Sequence, residues 1–292
     1  MTRTDRTDAL VSTDWLAEHL NAPDIRIVDA TYDLPWEEEG EPPRTRFERA
    51  HIPGAVFFDI DDIADTSGDL PHMVPPPEKF SAKVRRLGLG DGSRIVVYDQ
   101  KGIRTAPRVW WMFRLFGHQD VAVLDGGLPK WQGENRPVDD GAARITGERH
   151  FTARMNNTML YDLEQMKRNL ETKRAQVVDG RSAARFRGEA EEPRPDVRRG
   201  RIPGSFNVPH RSLVDQETGT LKTGEEITRL FKDAGVDPKK PVVTTCGSGI
   251  TSCTLALALR TIGAKDVAVY DGSWAEWGRP GDTPVETGSP ET

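Results

Sequence analysis

The chain is written twice. "IRIVDATYD", beginning at Ile25, lies over "AQVVDGRSA", beginning at Ala175, and "RAHIPGAVFFD" from Arg49 lies over "RGRIPGSFNVP" from Arg199, both 150 positions on. "IVVYDQKGIRTA" from Ile95 lies over "VVTTCGSGITSC" from Val242 at a spacing of 147, and "GHQDVAVLDGGLPKW" from Gly117 over "GAKDVAVYDGSWAEW" from Gly263 at 146. Short loop insertions produce so small a drift. Two long copies signify a duplicated domain rather than a solenoid array. The expected organisation is a first domain over 8–135, a linker over 136–157 in the polar stretch around "RPVDDGAARITGE", and a second domain over 158–287.

Within each copy, short β-branched runs ("IRIVDA", "RIVVYD", "DVAVLDG") alternate with helical stretches ("STDWLAEHL", "PRVWWMFRLFG", "TLALALRTIG"). Such alternation predicts α/β domains, each a mostly parallel central sheet with helices on both faces. Ligands in such domains sit beyond the carboxyl ends of strands, where a strand turns into a helix. Trp110, Trp111 and Phe113 read as core residues.

A net charge of −6 and a pI near 5.6 argue against nucleic acid or an anionic membrane as partner. The opening "MTRTDRTDALVSTDWLAEHL" lacks the apolar centre of a secretory signal, and no long apolar run follows, so a cytoplasmic location is expected. The chain has two cysteines, Cys246 and Cys253, with no CxxC or histidine pair beside them; neither a disulfide scaffold nor a metal site is expected.

Cys246 falls at a strand-to-helix turn and is followed by Gly247, Ser248, Gly249, Ile250 and Thr251. Glycines there let several backbone N–H groups converge on one point, a setting that favours a thiolate and would equally hold the outer sulfur of a persulfide. The plainer alternative is a buried structural thiol, which is the expected role of Cys253 inside the following apolar helix.

With these residues in view, the whole chain resembles the tandem-domain rhodanese-type sulfurtransferases. Its loop "CGSGIT" is similar to the "CG[SG]GVT" loop of the branch that uses 3-mercaptopyruvate, whereas the thiosulfate-using branch carries basic residues, as in "CRKGVT". Ile250 and Ser252 depart slightly from the usual Val and Ala. The resemblance implies an inactive first copy, with Asp99 at the cysteine position, and a persulfide on Cys246 passed to a thiol acceptor such as thioredoxin, or to cyanide, with no cofactor. It implies that Arg185 and Arg194, in the pattern "RFxGxxxEPR", clamp the carboxylate of the keto acid, and that Asp61 and His72 join Ser248 in a triad. Gly247, Gly249, Ile250 and Thr251 complete the substrate-binding loop. Arg181, Arg187, Arg198 and Arg199 are expected to be solvated. Two other functions stay open: thiosulfate:cyanide sulfur transfer, and a non-catalytic sulfur-carrier or partner-binding module. Cysteine phosphatase chemistry is disfavoured, because a Cx5R loop needs arginine where this chain has Ser252.

Overall fold

The computed structural model describes residues 9–35, 37, 40–145 and 147–289. Residue 8, expected to begin the first domain, lies outside them. The chain divides into two compact units: Met1–Asp65, Val74–Asn156 and Val214–Leu221 form the first, and Thr66–Met73, Asn157–Leu213 and Lys222–Thr292 the second. The segment carrying His72 therefore belongs to the second unit although it lies in the first sequence copy.

In the first unit, β1 (Leu10–Val11), β2 (Ile25–Asp29), β3 (Ala55–Phe57), β4 (Arg94–Tyr98) and β5 (Val121–Leu124) form one sheet in the order β1-β5-β4-β2-β3. In the second, β6 (Leu160–Tyr161), β7 (Gln176–Asp179), β8 (Phe206–Asn207), β9 (Val242–Thr245) and β10 (Val267–Tyr270) repeat that order as β6-β10-β9-β7-β8. Every pairing is parallel. Both units are thus α/β folds around parallel sheets, as the alternation predicts. Parallel neighbours require crossover helices, and those helices cover the strands, so central strands such as "IVVY" and "VVTT" are buried throughout.

In the first unit, Phe58, Phe80, Phe113, Phe116 and Phe151 make a cluster of tilted, stacked and edge-to-face rings, and Trp110 and Trp111 are buried in the helix Ala106–Leu115. The second unit packs Val243, Ala268, Tyr270, Trp274 and Trp277 together. Helix Gly224–Asp233 begins with a Thr223–Glu226 capping box, and helix Leu163–Thr172 with one made by Asp162 and Gln165. Among the described residues, no helix is long and apolar enough to cross a membrane.

Candidate active site

β9 ends at Thr245, and the loop from Cys246 to Thr251 leads directly into the helix Ser252–Thr261. The polypeptide turns within this short space because Gly249 takes the left-handed conformation, φ +79°. Two neighbouring backbone contacts brace the loop: Trp274 N–H donates to the Cys246 carbonyl at 3.0 Å and Ala275 N–H to that of Gly247 at 2.8 Å. Ser273 completes the brace. Its hydroxyl donates to the Tyr270 carbonyl at 2.8 Å and accepts from Cys246 N–H at 3.2 Å, while its own backbone sits at φ +50°, a strained setting for a residue with a Cβ.

Cys246 is 2% exposed. Burial pushes its thiol up, but the Thr251 hydroxyl, the Ser248 N–H and the hydroxyl and N–H of Ser252 outweigh that and hold it below the ordinary thiol value. Thr251 and Ser248 are themselves buried, as is Ile250. Cys253 is fully buried in the first turn of the helix, with Sγ 3.4 Å from the Gly249 carbonyl, and packs there as a small apolar side chain.

The first copy shows what such a loop holds. Asp99, at the position of Cys246, turns its carboxylate into the loop: Oδ2 accepts from the N–H groups of Arg104, Thr105 and Ala106 at 2.8, 2.8 and 2.9 Å, and Oδ1 from Lys101 N–H at 2.9 Å. Burial pushes this carboxyl up and the four N–H groups pull against it. The duplicated loop is therefore an anion cradle, filled in the first copy by its own aspartate. Lys101 and Arg104 are tied to Glu37, and Lys101 and Arg46 to Asp33.

The arginine-rich segment divides by burial. Arg181 has a side chain only 1% exposed, contrary to its expected solvation. It bonds Asp179 at 2.6 Å, Glu192 at 2.7 Å and the Gly200 carbonyl at 2.7 Å, and lies 4.2 Å over the Trp274 ring. Arg198 is half-buried, bonded to the Trp277 and Gly278 carbonyls and to Thr283. Spacing could not separate these from Arg187 and Arg199, which pair at the surface with Glu189 and Glu191. Removing Arg181 leaves Asp179 buried without its cation, so Arg181→Met is expected to destabilise the second unit by about 3–5 kcal/mol. Urea unfolding of the two proteins, followed by tryptophan fluorescence, measures that difference.

Arg185 shares Glu192 with Arg181, engaging it through Nε and Nη2. Arg194 lies 3.4 Å from His72, Nη2 to Nε2. A guanidinium only donates, so Nε2 of His72 is the acceptor and a neutral ring carries its proton on Nδ1. His72 is buried at φ +60°. Of the expected site residues, the structure brings Cys246, Ser248 and Thr251 together, and His72 with Arg194. Asp61 stands in the first unit, exposed, in the helical turn Ile60–Ile63.

The Rhodanese-like domain family matches residues 12–134 and 162–279. The chain belongs to the rhodanese family. The 3-mercaptopyruvate sulfurtransferase of Homo sapiens is 45% identical over 92% of this chain and 91% of that protein. Its namesake from Escherichia coli (strain K12) is 42% identical over 96% of this chain and 98% of its own. The crystal structure of SseA from Escherichia coli, a 3-mercaptopyruvate sulfotransferase with the rhodanese fold, matches with a TM-score of 0.83 at 40% identity, covering 91% of this chain and 99% of that one.

Within the second unit lies a cavity of about 510 Å³ lined by Arg194, Arg279, Asp69, Pro71, Pro195 and Ala275, among others. Ala275 connects it to the cysteine loop through its bond to Gly247. Arg279, paired with Asp69 at 2.8 Å, is a cation that the motif reading missed, because it follows the helix Ser273–Trp277 outside every recognisable pattern. Ser273 was missed as well. The signal was the difference between "DGG" at 125–127 and "DGS" at 271–273, where the second copy replaces a left-handed glycine by a hydroxyl-bearing residue.

Proposed function

We propose that this rhodanese is a 3-mercaptopyruvate sulfurtransferase working through a persulfide on Cys246. The observation that carries the reading is the cradle: Cys246 occupies a loop whose twin holds a carboxylate on four backbone N–H groups, and its own thiol is held toward the anion. Names and identities of the relatives support the choice of donor, and so does the uncharged Gly247–Ser248 pair in the loop.

In the proposed cycle the Cys246 thiolate attacks the thiol sulfur of 3-mercaptopyruvate. The new S–S bond forms as the C–S bond breaks, and its electron pair leaves on carbon as pyruvate enolate. Arg185 and Arg194 hold the carboxylate end, with Gly247, Gly249, Ile250 and Thr251 shaping the loop around the sulfur. Ser248, with His72 behind it, returns a proton to the enolate carbon and pyruvate departs. The loop N–H groups stabilise the persulfide until the thiolate of an acceptor, such as thioredoxin, takes the outer sulfur; cyanide can replace it in an assay. Atoms and electrons balance at each step without a further co-reactant.

Because attack requires thiolate, the rate of persulfide formation is expected to fall as pH drops through the lowered Cys246 value and to level off above it. A donor comparison tests the reading: with cyanide as common acceptor, kcat/KM for 3-mercaptopyruvate is expected to exceed that for thiosulfate by about 100-fold or more. Equal or better use of thiosulfate refutes the choice of donor.

A further inference from the structure

Glu192 is a carboxylate shared by two guanidiniums, and its side chain is only 4% exposed. Its Oε1 accepts from Arg181 Nη1 at 2.7 Å and from Arg185 Nε at 3.3 Å, and its Oε2 from Arg185 Nη2 at 2.5 Å. Arg181 is the fixed member of the pair. Its Nε and Nη2 bond the buried Asp179 carboxylate at the end of β7, and its guanidinium lies over the Trp274 ring. The backbone N–H of Trp274 in turn donates to the Cys246 carbonyl. A continuous run of contacts, Arg185 to Glu192 to Arg181 to Trp274 to Cys246, therefore ties Arg185 to the residue that carries the thiol.

The fold does not require this arrangement. Breaking a buried ion pair is costly, yet uncharged residues of similar volume often serve as well in its place. The first copy makes that exchange: at the 150-residue spacing, Thr31, Pro35 and Pro42 stand where the second copy has Arg181, Arg185 and Glu192. Asp29, the twin of Asp179, is held there by the N–H and hydroxyl of Thr31 and by the amide of Gln100. The same order of parallel strands forms in both units. Glu192 and its two arginines accompany the copy that has the thiol, so a role at the thiol accounts for them where packing does not.

A guanidinium offers a carboxylate two paired edges, Nε with Nη2 and Nη1 with Nη2. Glu192 takes the first, so a substrate carboxylate bound in paired fashion meets the second. We propose that Glu192 is a positioning residue that sets donor specificity: by fixing the edge at which Arg185 meets its ligand, it makes the site select a planar carboxylate over an anion without one, such as thiosulfate. Its charge acts in the same sense. Glu192 and Asp179 balance Arg181 and Arg185, so this group attracts an anion by direction and not by excess positive charge. The inference rests on Arg185 as a clamp for 3-mercaptopyruvate in the proposed cycle.

Glu192→Gln tests it, since the substitution keeps the shape of the side chain and removes its charge. The amide nitrogen then meets a guanidinium N–H, donor against donor, and Arg185 loses one of its two anchors. Misplacing a bound group by about 1 Å costs on the order of 10²-fold, so kcat/KM for 3-mercaptopyruvate is expected to fall about 10²-fold, most of it in kcat. For thiosulfate, kcat/KM is expected to stay within about threefold of wild type or to rise. The readout is the ratio of the two donors, in which loss of folded enzyme cancels. In an Arg185→Met background, Glu192→Gln should change that ratio no further. Equal losses for both donors in Glu192→Gln, or a shift that persists undiminished in the Arg185→Met background, overturns the proposal. A ratio moved by Arg185→Met but not by Glu192→Gln overturns it and leaves the clamp standing. A ratio unchanged by Arg185→Met removes the clamp, and the role of Glu192 with it.

Discussion

Cys246→Ala is expected to abolish turnover with 3-mercaptopyruvate, lowering kcat by about 10⁴-fold or more while the protein stays folded. The side chain is small and buried, so losing its sulfur leaves only a small void, and the loop keeps its braces, which run through backbone groups and Ser273. No neighbour can replace the nucleophile. Ser248 and Thr251 present hydroxyls of far higher pKa, and Cys253 is fully buried in the helix with its sulfur against the Gly249 carbonyl. Steady-state pyruvate release, together with the thermal transition of the variant, checks both halves of this expectation. Turnover within tenfold of wild type would remove Cys246 from the mechanism.

The second large effect is expected at the arginines. A guanidinium that holds the substrate carboxylate contributes a charge-assisted bond of about 2–4 kcal/mol, so its loss should lower kcat/KM for 3-mercaptopyruvate about 30- to 10³-fold. Thiosulfate has no carboxylate to lose, and its turnover should fall by less than about threefold. Arg194 is the cleaner position to change. Arg185 also neutralises the buried Glu192, and its removal would disturb the Asp179–Arg181–Glu192 group as well as the substrate. The readout is the ratio of the two donors in Arg194→Ala, because a general loss of folded enzyme cancels in a ratio. A substitution that reduces both donors equally would show that Arg194 does not distinguish the carboxylate.

Much of this was legible before the structure because duplication repeats physical constraints. Strands such as "IVVY" and "VVTT" keep their apolar character in both copies since both lie at the centre of a parallel sheet, covered on two faces. Cys246 stood out for the same reason: the strand recurs with the Gly–Ile pair of the loop, and the thiol takes the place of Asp99 at the turn. What did not show was decided by burial. Arg181 and Arg187 look alike in "DGRSAARFRGE", yet Arg181 follows the buried end of β7 and meets Asp179 and Trp274, whereas Arg187 faces water. The placement of Thr66–Met73 in the second unit was equally invisible, because a loop's sequence does not say which sheet it packs upon. The aspartate in the first cradle carried a signal of another kind. Absence of cysteine at Asp99 reads as loss of function, but its carboxylate accepts four N–H bonds, so the loop presents converging donors although it holds no thiol.

Sulfur transfer through Cys246 is tested most directly by weighing the protein. Reduced enzyme is mixed with one equivalent of 3-mercaptopyruvate, without acceptor, and its intact mass is recorded. The expected result is a gain of one sulfur atom per chain with release of one pyruvate, reversed by dithiothreitol and absent in Cys246→Ala. Pyruvate release with no sulfur retained on the wild-type protein, or a gain of sulfur that survives the removal of Cys246, would contradict it.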